Sequence, residues 1–149
     1  MQVETLMSFD PGGTTGYCVY FVSTKTFVQI AQLEGRHHLP LWDLLEFYQP
    51  DVVIYEQFVY QRRDLEKGVA LNIDARNYIG ILQLYCDKNR AIEYESSLAF
   101  KKFWNDKKLR QLNLYKSSPH MRDALRHMLY YVTFTLKDDE WVRRLRPGQ

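Results

Sequence analysis

The sequence predicts an α/β fold: a mixed five-stranded sheet, three antiparallel strands followed by two parallel crossovers, flanked by helices. Three observations predict it. Three strand-like segments fall within residues 3–34 and are joined by links of only a few residues, which is the signature of antiparallel hairpins. The run Val52, Val53, Ile54, Tyr55 is apolar on both faces of a strand, as a central strand covered on both sides requires. Beyond it, helical and strand-like patterns alternate, which implies parallel crossovers.

The elements follow in order. Residues 3–10 read as the first strand and 16–22 as the second, joined by "PGGTTG"; residues 26–34 read as the third, after the turn "STK". Leu41, Leu44, Leu45 and Tyr48 recur at helical spacing over residues 39–48, and Pro50 closes that helix. Residues 51–60 hold the central strand. Residues 69–87 read as a helix with Ala70, Ile73, Asn77, Gly80, Ile81 and Leu84 on one side, and residues 90–94 as a fifth strand. Residues 96–112 are basic and helical in part. Ser118 and Pro119 have the character of an N-cap and a first helical residue, and the helix after them packs through Met121, Leu125, Met128 and Val132.

With 149 residues, the length prior gives one domain over 1–149, large enough for a real core. Cys18 and Cys86 make no CxxC pair or disulfide framework and read as small core residues. No apolar run approaches the ~18 residues of a membrane span, and Glu4 breaks any signal-peptide pattern. The expectation is a soluble, cytoplasmic protein. The net charge is only +2, but residues 101–116 hold six lysines and arginines against one acid, so that window is +5 and the rest of the chain −3. Such concentration suits a local anionic partner.

Carboxylates carry the chemistry. Asp10 ends the first strand, just before a tight turn. Glu56 ends the central strand after four apolar residues, where an unpaired charge is rarely kept. Strands lie roughly 5 Å apart, so acids at neighbouring strand ends are close enough to share a cation. In "SPHMRDALRHMLYY", His120 and Asp123 stand at i, i+3 on one helical face, with His127 one turn later. Three acids and a histidine suit Mg2+ or Mn2+ better than zinc. Each residue also has a plain reading: Asp10 as turn former, Asp123 as solvated helix residue, His120 as surface residue, His37 and His38 as loop residues. Their coincidence in chain order favours a site.

The segments "SFDPGGTTGYCVY", "VVIYEQF" and "SPHMRDALRHMLYY" together resemble the RuvC family of Holliday-junction resolvases, on the RNase H-like fold, and especially its shorter bacteriophage versions. The resemblance spans nearly the whole chain. It implies a homodimeric, Mg2+-dependent endonuclease that nicks opposing strands of four-way DNA junctions, with Mn2+ able to substitute. If the protein is phage-encoded, it would act in the host cytoplasm. Asp10 matches the family's first-strand Asp, Glu56 its central-strand Glu and Asp123 the last acid of its final helix. His120 stands where members carry either Asp or His, so it either binds a metal or orients the water. Two ions roughly 3.5–4 Å apart would activate water and stabilise the leaving oxygen.

The family's lysines near the scissile phosphate make Lys101, Lys102, Lys107 and Lys108 candidates, with Phe103 and Trp104 among them. After Glu56, Phe58 and Tyr60 would stack at the junction centre, while Arg62 and Arg63 would hold phosphates. The helix face around Ile73, Asn77 and Gly80 is the candidate dimer surface. Two other classes compete. "DPGGTTG" resembles the phosphate turn of actin-like kinases, but that architecture needs two such domains. A non-catalytic branched-DNA-binding module is the second, and the presence of all three acids speaks against it. Proofreading exonucleases place two acids on the first strand at a spacing that Glu4 and Asp10 do not match.

Overall fold

A computed structural model describes residues 2–56, 73–96 and 99–145. Strand β1 (Thr5–Asp10) lies at the centre of a five-stranded sheet. It pairs antiparallel with β2 (Thr15–Phe21), which pairs antiparallel with β3 (Thr26–Leu33). On its other edge β1 pairs parallel with β4 (Val52–Glu56), and β4 pairs parallel with β5 (Ile92–Ser96). The order is therefore β3-β2-β1-β4-β5, the predicted mixed sheet of hairpins and crossovers. Asp51 sets the β1–β4 register from below: its Oδ2 accepts the Glu4 and Thr5 amides at 2.8 and 3.0 Å.

Six helices flank the sheet among the described residues. They are α1 (His38–Tyr48), α2 (Ile73–Asn89), α3 (Phe100–Phe103), α4 (Asp106–Gln111), α5 (Pro119–Tyr130) and α6 (Glu140–Arg143). A π-turn, Tyr131–Thr135, continues α5. Ser118 caps α5 as expected, accepting the Met121 amide, with Pro119 at the first turn. The Ser118 hydroxyl also donates to Gln32 Oε1 of β3 at 2.5 Å, which ties the helix start to the sheet.

Side chains alternate between the faces of a strand, so each strand feeds two cores. Leu6, Cys18, Tyr20, Val52 and Ile54 meet Leu125, Met128 and Leu129 of α5 on one face. Met7, Phe9, Tyr17, Val19, Val53 and Tyr55 meet Leu41 and Leu45 of α1 and Tyr78, Leu82 and Tyr85 of α2 on the other. Residues 52–55 are all but fully buried, as their two-faced apolarity predicts. Burying each such aliphatic side chain stabilises by about 1.5–3 kcal/mol before entropy is counted.

Helix α2 buries Ala75, Tyr78, Ile79, Leu82, Tyr85 and Cys86, whereas Ile73 and Leu84 are 62% and 58% exposed and Asn77 and Gly80 face outward, on the side read as the candidate dimer surface. The helix is apolar on two sides. Tyr78 and Tyr85 win the inner one because their hydroxyls reach the His37 amide and the Pro50 carbonyl. His37 lies in the link before α1, as read, but it is not a surface group. It is 1% exposed, stacks on Tyr78 and has its Nε2 2.7 Å from Thr15 Oγ1, while His38 opens α1. Trp104, expected among the surface lysines, is fully buried in the α5-side core. Cys18 and Cys86 are buried free thiols, as read. No helix among the described residues is long and apolar enough to cross a membrane.

Candidate active site

The site follows from strand register. Phe9 pairs with Tyr55 across the parallel β1–β4 ladder, so Asp10 and Glu56 are the next residues of two neighbouring strands. Asp10 shares its face with Leu6 and Ser8, and Glu56 shares its face with Val52 and Ile54. These are the residues that α5 covers. Both carboxylates therefore point to the side where Asp123 waits on α5.

Helix α5 comes unusually close to the sheet. A Cβ added to Gly16, the β2 partner of Asp10, would stand 2.0 Å from the His120 carbonyl oxygen. Only glycine lets the helix start pass here. One turn on, Ser8 Oγ donates to the Ala124 carbonyl at 2.6 Å. These two contacts bracket Asp123 and fix its height over the strand ends. One oxygen from each of Asp10, Glu56 and Asp123 lies within 4.8 Å of the others. Their side chains are 16%, 24% and 17% exposed.

The cluster is electrostatically costly as it stands. Burial, and then the nearby Asp123, push the Asp10 carboxyl from 3.8 up to about 6. His120 partly offsets this: its Nδ1 lies 3.2 Å from Asp10 Oδ2. The fully buried His127 ring, with Nε2 3.9 Å from Glu56 Oε2, holds Glu56 below the usual carboxylate range, and Lys101 adds to this. Burial pushes His127 itself downward, and neither of its ring nitrogens has a hydrogen-bond partner. Three converging hard oxygens, with one carboxyl held above its ordinary value, fit a hard divalent cation such as Mg2+ or Mn2+.

This chain resembles several solved structures. One is Thermus thermophilus RuvC in complex with a Holliday junction substrate, with a TM-score of 0.69 and 15% identity over 90% of this chain and 96% of that one. A second Thermus thermophilus RuvC structure gives 0.66 and 16% over 89% and 96%. The Fowlpox virus resolvase, solved with its substrate Holliday junction DNA, gives 0.60 and 17% over 85% and 97%. This is the RuvC fold. No protein-family model matches the sequence, and no curated protein does.

On this RuvC scaffold the remaining candidates separate. Lys101, on α3, sets its Nζ 3.5 Å from Asp123 Oδ2, at the edge of the acidic cluster. Lys102 and Lys107 are exposed, and Lys108 lies over the Phe103 ring at 3.8 Å. Phe58, Tyr60, Arg62 and Arg63 lie outside the described residues. Sequence reading assigned no role to His127 or Arg126. Both stand one helical turn beyond Asp123, at i+4 and i+3, and that spacing was the signal available.

Proposed function

We propose that this protein is a metal-dependent endonuclease that hydrolyses phosphodiester bonds in four-way and other branched DNA, acting as a homodimer with two Mg2+ ions per site. The observation that carries the reading is the meeting of Asp10, Glu56 and Asp123 within 4.8 Å on a fold shared with resolvases solved on Holliday junction DNA. Asp10, placed between the other two acids, is the natural shared ligand; Glu56 and Asp123 would each complete one side. Bound there, Mg2+ would supply a lowered water pKa and neutralise charge at the scissile phosphate.

The chain's own residues do the rest. His120 engages Oδ2 of Asp10 and would help to orient that carboxylate. Lys101 is the lysine we assign to the scissile phosphate; its half-exposed position bordering the acids supports this. Lys102 and Lys107 would hold flanking phosphates, contacts that position DNA without reading its sequence. Paired nicks need two sites. The outward face of α2, with Ile73 and Leu84 exposed, is the surface we assign to a second copy.

The test is nicking of a synthetic four-way junction in Mg2+, with binding measured separately in Ca2+. Wild type should cut symmetrically, and Asp123→Asn should bind as well but lose nearly all cutting, in line with loss of a metal ligand. If wild type binds junctions but cuts neither these nor flaps, the protein is a non-catalytic branched-DNA module.

A further inference from the structure

We infer that Arg126 is a positioning residue for Asp123, tying the geometry of the acidic cluster to the basic α3–α4 segment; this rests on the cation-site reading above. Arg126 is only 12% exposed. Its guanidinium spans three acceptors on different parts of the chain. Nη1 donates to Asp123 Oδ1 at 2.9 Å, Nε donates to the Trp104 carbonyl at 2.8 Å, and Nη2 meets the Asp106 carboxylate. A planar fork held at three points cannot rotate, and neither can the carboxylate at its tip. Oδ1 of Asp123 is thereby committed to Arg126. Oδ2 remains for a cation, and in this structure it faces Lys101 Nζ at 3.5 Å.

The anchor is itself anchored. Asp106 also faces Arg122 Nε at 3.7 Å, and Arg122 Nη1 donates to Tyr115 Oη and to the carbonyls of Lys116 and Ser117. Two arginines of α5 thus clamp the whole basic segment to the helix that bears Asp123. Trp104, the residue whose carbonyl Arg126 holds, is fully buried, so this end of the clamp does not move with solvent. Arg126 is not placed to bind DNA, because it is nearly buried and each of its three nitrogens already has an acceptor.

Positioning and simple charge predict opposite signs. A guanidinium that acted only as a nearby positive charge would weaken cation binding, so removing it would tighten binding. One that orients a ligand would strengthen binding. Carboxylates and groups that orient metal ligands commonly change metal affinity by 10–100-fold when removed.

The experiment is calorimetric titration of the full-length protein with Mn2+ in the absence of DNA. Arg126→Gln should raise the dissociation constant by about 10-fold. Arg126→Lys, which keeps the charge but not the fork, should also weaken binding. Lys101→Gln, which removes a cation facing Oδ2 without holding it, should tighten binding. Asp106→Asn, which lies outside the acidic cluster, should weaken binding in wild type and have little effect in the Arg126→Gln background. Should Arg126→Gln fail to fold by circular dichroism, Arg126→Lys and Asp106→Asn carry the reading. Unchanged or tighter binding in the Arg126 variants, or fully additive effects of Asp106→Asn and Arg126→Gln, overturns the inference. No uptake of Mn2+ by wild type overturns the cation site itself, and the inference with it.

Discussion

On one face of the sheet, α5 crosses β1 and β2 with no slack: a missing Cβ at Gly16, a 2.6 Å hydrogen bond from Ser8 and two arginine clamps set its position. On the other face, α1 and α2 rest on a broad apolar and aromatic bed, with Tyr78 stacked on His37 and Leu82 and Leu45 fully buried. The first face is defined by distances, the second by area. Every acid of the candidate site belongs to the first. A cation site tolerates errors of a fraction of an ångström, whereas an apolar layer can shift and repack.

The sharpest way to break the contrast is Gly16→Ala. The added methyl meets backbone rather than a flexible side chain, so the α5 start must move. We expect a loss of more than about 3 kcal/mol in urea unfolding and no Mn2+ uptake by whatever remains folded. An intact site in that variant would mean the helix has room we do not see. On the opposite face, Leu82→Ala should cost about 3 kcal/mol through its cavity, yet leave the Mn2+ affinity of the folded protein unchanged. A parallel fall in affinity would show that the two faces are coupled.

A third measurement uses pH. Asp10 is raised from 3.8 to about 6 by burial and by Asp123. A carboxyl with a raised folded value stabilises the fold while protonated. That stability is present below about pH 4 and is lost as pH rises through about 6. Glu56, held low, runs the other way, so the readout is the difference between wild type and Asp10→Asn. In EDTA the wild type should lose about 2–3 kcal/mol relative to the variant between about pH 4 and 7, and excess Mn2+ should shrink that loss. Parallel curves would remove the electrostatic account of the cluster. The smallest effect is expected at Gly80, in mid-α2, where an added Cβ meets nothing within 4 Å among the described residues. Gly80→Ala should stabilise by about 0.5–1 kcal/mol. A loss instead would mean that the second copy assigned to this face packs against Gly80 too closely to admit a methyl.

The sequence was most readable where a local pattern and a tertiary demand coincide. Asp10 and Glu56 could be found because a charge after an apolar strand run has few uses, and Ser118-Pro119 because a cap is encoded within four residues. Helix α2 carries two apolar stripes, and the sequence alone does not say which one the sheet covers. The choice between them depends on Tyr78 reaching His37, which is 41 residues away. Trp104 reads as one of the lysine segment because its neighbours in sequence are basic, although it is buried in the same core cluster as Leu125 and Met128. Arg126 and His127 read as ordinary helix residues until Asp106, Trp104 and Glu56 are brought beside them.

The three carboxylates sit on β1, β4 and α5, and this has a consequence for synthesis. A chain translated only as far as β5 has two of them and none of the clamp that orients the third. The trio closes only after α5 has been made and has slid over Gly16. Until then the growing polypeptide lacks the complete set of oxygens, so the candidate cation site cannot form before α5 does.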